Sequence, residues 1–268
     1  MTTTDPKAAG EALPFAAPCR KLTLGAPFRW LRLGWRDLRA AGRPSLIYGA
    51  AIVALSYLIL VFAWAFGDLG LYLSLASGFI FLGPVLAIGL YSISCQLEQG
   101  RRPRLGYCLR EGRRHLGNEL TFAVMLLIVF LIWARAASMV HVFFPMEAHP
   151  TSAEYLLFFG VGSAVGAVFS ALIFTFSAFS LPMIMDRRVD AVTAVVTSVN
   201  AVLRNKAALL LWALIILGCV VLGFLTAFLG FAVLLPLIGH ATWHAYKETI
   251  DASAWPAYPS LEPRVRAG

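Results

Sequence analysis

Six apolar runs, at 47–66, 69–93, 120–144, 155–185, 207–225 and 227–246, dominate the chain, and each is long enough to cross a bilayer. About 20 apolar residues in helical form span the roughly 30 Å hydrocarbon core, and lipid offers no partner to backbone polar groups, so each run is predicted to be helical. With 59% hydrophobic and 13% charged residues among 268, the chain has too little polar surface to solvate a water-soluble fold of that size. The fold class expected is an all-α polytopic membrane protein of six transmembrane helices. The first run follows a polar segment and exceeds a signal-peptide core, which makes it a retained span. Only Gly223, Thr226 and Gly230 offer a turn between the last two runs. A single helix over 207–239 would be about 50 Å long at 1.5 Å per residue, so a hairpin is expected there.

The net charge of +8 would suggest nucleic acid in a soluble protein, but here the basic residues sit beside the spans, and no nucleic-acid partner is expected. Lys7, Arg20, Lys21, Arg29, Arg32, Arg36, Arg39 and Arg43 precede the first run. Arg101, Arg102, Arg104, Arg110, Arg113 and Arg114 separate the second from the third, and Arg187, Arg188, Arg204 and Lys206 separate the fourth from the fifth. The opposite loops carry Asp68, Glu147 and Glu154. Positive loops stay inside, so the prediction is a bacterial inner-membrane protein with both termini cytoplasmic and thin outer loops.

Amphipathic segments precede the odd-numbered spans. Leu24, Phe28, Leu31, Trp35 and Leu38 recur at steps of four and three, with Arg29, Arg32, Arg36, Arg39 and Arg43 on another face and Pro27 suited to a helix start. Val189, Val192, Val196, Val199 and Leu203 repeat the pattern beside Asp190, Thr193, Thr197, Asn200 and Arg204; Leu105, Leu109, Gly112 and Leu116 repeat it more weakly beside Arg110, Arg113 and Arg114. The expected architecture is three hairpins, each preceded by an interfacial helix and each with a proline in its second span (Pro84, Pro182, Pro236). A threefold parallel pseudo-repeat of about 80 residues would produce this, although the prolines do not keep the period and any even set of hairpins looks repetitive. The membrane domain is expected at 21–250, between flexible tails at 1–20 and 251–268.

Few residues suggest chemistry. Arg135 lies in an otherwise plain span, where an arginine costs about 2.5 to 3.5 kcal/mol to insert. It is a candidate anion or headgroup contact, or else a structural partner of Asp68, Glu147, Glu154 or freed carbonyls, or a snorkelling side chain. His240 and His244 share a helical face at a spacing that lets two imidazoles approach one metal, with Glu248 four residues further on. No His-Glu-x-x-His pattern accompanies them, and His141 lies at the wrong depth for a haem pair, so hydrogen bonding near the anchor residues Trp243 and Tyr246 is the competing expectation. Gly160, Gly162, Gly166 and Ser170 form a small-residue stripe for close helix packing, within the chain or between chains. Pro84, Pro182 and Pro236 are expected to kink or end helices, freeing carbonyls that line a cavity or simply shape packing. Asp186 and Asp190 read as a solvated helix start. No Walker loop, nucleophile elbow, dinucleotide fingerprint or paired membrane carboxylates occur, so no enzyme class is supported.

The stretches PFRWLRLGWRDL from Pro27, GPVLAIGLY from Gly83, SLPMIMDRRVDAVTAV from Ser180 and GHATWHAY from Gly239 resemble a bacterial family of predicted integral membrane proteins, domain of unknown function 2189. The resemblance implies a multi-pass membrane fold. Some family members are labelled cytochrome c oxidase proteins, a label that brings no mechanism with it. The leading expectation is a non-enzymatic accessory, assembly or stabilising subunit of a membrane complex, respiratory or photosynthetic. It would have anionic lipid headgroups as partners, structural lipids bound and no cofactor. The alternatives are a transporter or channel for a small or lipidic solute, lined by Arg135 and the proline breaks, and a metal- or haem-binding redox subunit using His240 and His244.

Overall fold

A computed structural model describes residues 14–66, 83–143 and 151–258, with the side chains at 66, 109–115, 141 and 143 excepted. The helices are α1 (Ala26–Ala41), α2 (Arg43–Phe66), α3 (Ile88–Glu98), α4 (Leu105–Phe143), α5 (Ser152–Ser177), α6 (Ser180–Asp186), α7 (Ala191–Arg204), α8 (Lys206–Leu225) and α9 (Phe231–Thr249). Among the described residues the only β-pairing is two isolated bridges, Cys19 with Ile250 and Arg187 with Ala257. Among the described residues, four helical stretches are long and apolar enough to cross a membrane: Arg43–Ala65, Leu116–Val140, Ser152–Asp186 and Lys206–Leu225. These are the first, third, fourth and fifth apolar runs. Most of the second run lies outside the described residues.

The sixth run does form a helix, but α9 is not one of those four. Beyond Gly239 it turns polar, with His240, Thr242, His244, Lys247, Glu248 and Thr249, and those side chains are used inside the protein. The hairpin before it is present. Helix α8 ends at Leu225; Ala227 and Phe228 take positive φ of 49° and 68°, and the Phe228 N–H donates back to the Gly223 carbonyl at 2.8 Å. Such a helix end spends its orphan carbonyls locally. The Tyr57 hydroxyl of α2 donates to the Ala227 carbonyl at 2.7 Å and holds the turn from outside.

Helix α9 is the central strut, packed against α1, α2, α3, α6 and α8, and two glycines let its neighbours approach. A methyl added at Gly34 of α1 would lie 2.7 Å from the Ala241 nitrogen, and one at Gly49 of α2 would lie 2.1 Å from the Ala232 carbonyl oxygen. Pro236, inside α9, has no N–H to give that carbonyl four residues back. The carbonyl it frees is therefore the one against which Gly49 packs. Around the polar half of α9 the core gathers Trp30, Trp212, Trp243, Tyr246, Phe179 and Met183, all essentially without solvent contact. Trp30 and Trp212 meet edge to face at 5.6 Å.

The proline at 182 marks a real break. Helix α5 opens on a capping box, with Thr151 and Glu154 bonding reciprocally, and stops at Ser177; α6 resumes at Ser180 with Pro182 in its first turn. Ser198 of α7 repairs the interruption: its hydroxyl accepts from the Phe179 N–H at 3.2 Å and donates to the Thr175 carbonyl at 2.7 Å. Pro84 sits in a short helical stretch, 83–86, that breaks at Ala87 before α3.

Three expectations need correction. Helix α4 runs unbroken for 39 residues, about 58 Å at 1.5 Å per residue, so the segment from Leu105 to Leu116 is the start of a long helix and not a separate interfacial one. The described parts of the tails expected at 1–20 and 251–268 are packed and not flexible ends. Ala17, Ala252 and Trp255 are buried, the Ala17 N–H donates to Thr197 Oγ1, and Arg20 and Asp251 pair their N–H groups with the Thr249 and Pro18 carbonyls. Those backbone bonds stitch the two end segments together. Finally, Asp186 is not solvated: it is mostly buried, accepts from the Tyr246 hydroxyl at 2.8 Å and lies 3.6 Å from Lys247 Nζ. Asp190 does cap α7, accepting from the Thr193 N–H.

Candidate functional site

Where α1, α2, α3 and α9 cross, each helix contributes a polar side chain to one buried chain of hydrogen bonds. His240 of α9 has no solvent exposure, and Ser45 of α2, Ser94 of α3 and Asp37 of α1 are buried beside it. The His240 Nε2 lies 2.8 Å from Ser45 Oγ and its Nδ1 lies 2.8 Å from Ser94 Oγ. Ser94 Oγ is 3.0 Å from Asp37 Oδ2, and His244 Nε2 is 2.7 Å from that same oxygen.

Counting donors orients the chain. A carboxylate only accepts, so the single Ser94 proton goes to Asp37; the Ser94 oxygen must then accept from His240, which places that imidazole's proton on Nδ1 and leaves Nε2 to accept from Ser45. All the bonds point toward Asp37, and the His244 N–H reaches it from the other side. Bonds aligned in this way polarise one another. A carboxylate buried without partners would be costly; burial pushes the Asp37 carboxyl up, but hydrogen bonds from His244 and Ser94 and the nearby imidazoles outweigh it and hold the group below its ordinary range.

A ring of charged contacts surrounds this core. The Arg29 guanidinium pairs with Glu248, which also accepts from the Trp30 indole at 2.8 Å. Glu98 accepts from the Trp243 indole at 3.1 Å and pairs with Lys247 at 3.3 Å. Several sequence candidates therefore change role. Trp243 and Tyr246 are buried, not interfacial anchors. Glu248 serves α1 and does not extend the histidine face, and Arg29 is tied into an ion pair and is not a free surface charge.

His240 and His244 are thus brought together on one face as their spacing predicts, but as hydrogen-bonding residues. Both ring nitrogens of His240 are engaged by serines, and among the described residues no group of three or more His, Cys, Asp or Glu side chains could hold a metal. Arg135 is exposed on α4, with no ion pair or hydrogen bond to another described residue; Asp68 and Glu147 lie outside the described residues, and Glu154 is taken by its capping box. Among the described residues nothing lies within 4 Å of where a methyl at Gly160, Gly162 or Gly166 would sit, and Ser170 beside them is exposed. Pro84, Pro182 and Pro236 stay outside the polar chain. Asp37, Ser45 and Ser94 were missed by sequence reasoning, although Trp30, Gly34, Asp37 and Ala41 recur at steps of four and three, a third face of α1 distinct from its leucines and arginines.

No curated protein and no solved structure matches the chain. A family model does match, over residues 71–186, which takes in the GPVLAIGLY stretch and the start, SLPMIMD, of SLPMIMDRRVDAVTAV and leaves the N-terminal PFRWLRLGWRDL and the closing GHATWHAY outside it. That family is described as predicted integral membrane protein, domain of unknown function 2189, and it is the one the sequence resembles.

Proposed function

We propose that this protein is a non-enzymatic accessory subunit that assembles with or stabilises a larger inner-membrane complex. The observation that carries the reading is the bareness of α5: only 6% of its most apolar stretch is buried, against 22% for α2 and α8. A long, firmly capped helix is thus built out from a well-packed core and offered sideways, and its glycines would let another backbone come close.

The reading includes six spans in three hairpins, with both termini on the cytoplasmic side of a bacterial inner membrane and structural lipids at the headgroup level. The basic loops and the observed α8–α9 turn support it. The threefold pseudo-repeat draws support from one shared detail: α1 and α2 are separated by Gly42 alone, and α7 and α8 by Asn205 alone. The unbroken α4 departs from that pattern. The redox alternative is weakened because the histidines already have partners in the core, and the transport alternative because Arg135 sits on an exposed flank.

The test is mild-detergent purification of the tagged protein from its native membrane, with mass spectrometry of what comes with it. Recovery of the subunits of one respiratory or photosynthetic complex in fixed proportion supports an accessory role. Isolation as a monomer or homo-oligomer, repeated in several detergents, counts against it.

A further inference from the structure

We infer that α1 is a docking surface for anionic phospholipid, holding headgroups along a ridge of arginines. Helix α1 has three faces at about 100° per residue. Trp30, Gly34, Asp37 and Ala41 are buried and held on α9 by the Asp37–His244 bond. Phe28 and Trp35 lie about 20° apart and Leu24 stands in the turn just before the helix; although Leu24, Phe28 and Trp35 are large and apolar, they are 63%, 60% and 40% exposed. Beside them, on the side away from the core, come Arg32, Arg36 and Arg39, and Arg43 follows them at the first position of α2; all four are exposed. The Arg39 guanidinium lies 4.9 Å above the Trp35 ring, where the two faces join.

One environment satisfies this cross-section. With the aromatic and leucine stripe turned into the acyl boundary, the core lies to one side of α1 and the arginines lie to the other at the level of the phosphates, as an interfacial helix requires. Span α2 begins one residue after α1 ends, so the stripe is already at the entrance of an apolar helix. Arg29 is excluded from the ridge by Glu248, whereas Arg36, whose Nε lies 4.0 Å from Asp37 Oδ1, keeps a side chain that is 72% exposed. The arginine fork suits phosphate oxygens, and phosphatidylglycerol or cardiolipin would supply the charge that a zwitterionic lipid lacks. Helix α7 has the same construction in outline, with Thr193, Thr197 and Ser198 buried and Val192 and Leu203 exposed, but it lacks the arginine ridge. The inference stands whether or not the chain joins a larger complex.

The test uses the full chain in nanodiscs of mixed phosphatidylcholine and phosphatidylglycerol, with spin-labelled lipid of each kind reporting which one the protein immobilises. Wild type is expected to prefer phosphatidylglycerol several-fold. The R32Q/R36Q/R39Q/R43Q variant should lose about fivefold or more of that preference, since each basic residue near the surface is worth roughly that factor, while R102Q should keep it. Equal immobilisation of both lipids by wild type, or an unchanged preference in the quadruple variant, overturns the inference. So does an equal loss in R102Q, which would mean that the preference does not belong to α1. Should the quadruple variant fail to melt cooperatively, wild type is measured from about 0.1 M to about 1 M salt, which shortens screening from about 10 Å to about 3 Å. A preference that falls with salt supports the ridge, and one that does not fall removes it.

Discussion

Asp37 is the residue on which the four-helix crossing turns, because it is the only acceptor at the end of a chain of donors. Replacing His244 with Ala removes a hydrogen bond to a buried carboxylate, and a loss of about 1.5 to 3 kcal/mol is expected, read as a lowered unfolding midpoint in detergent. H240A opens two serines at once and should cost about 1 to 3 kcal/mol. Combined with S94A it should cost less than the sum of the two changes, as a double-mutant cycle on the purified protein would register. The Asp37 carboxyl titrates below its ordinary range in the folded chain, so its stabilisation is fully present above the ordinary carboxylate value of about 3.9. That stabilisation is lost as pH falls through the lowered value. A melting series across the acid range should show that loss in wild type and a flatter acid limb in D37N; parallel curves would mean that Asp37 is not what titrates.

At the scale of the element, the helices themselves were legible because length and apolarity are read directly from the chain. The four spans and the hairpin at Gly223–Gly230 fall where the apolar runs and the turn residues put them. What packs against what was less legible. The stripe Leu24, Phe28 and Trp35 is the most conspicuous feature of α1, yet the helix meets its neighbours through Gly34 and Asp37, since a close crossing needs absent side chains and a polar pin. Neither has a periodic apolar signature. Histidine spacing on α9 was correct as geometry but silent about its partners, which lie about 146 to 207 residues away in sequence. Helix crossings of this kind predict that Gly49→Ala, which places a methyl against the Ala232 carbonyl, destabilises by about 1 to 3 kcal/mol. The same change at Gly160, where no described atom is near, should be neutral in the isolated protein. Ser198→Ala strips the α5–α6 break of both its repairs and should cost about 1 to 3 kcal/mol, checked by the same melts.

Over the whole molecule, packing is uneven. Among the described residues, Trp30, Trp212 and Trp243, the ion pairs and the two end segments converge on the polar half of α9, while α4 and α5 extend from that core with their apolar sides open. Uneven burial of this sort is what an all-α membrane chain shows when its partners, protein or lipid, lie outside it. An accessory role requires a second polypeptide on the open flank, and Phe159, 43% exposed beside Gly162 and Gly166, is placed to report it. The decisive measurement is to put a photo-crosslinking amino acid at position 159, irradiate cells, and resolve the adducts by mass. One discrete adduct with a different membrane protein is expected, absent when the probe is moved to buried Trp243; crosslinks to lipid alone, in membranes where the protein is at its native abundance, would overturn the accessory role.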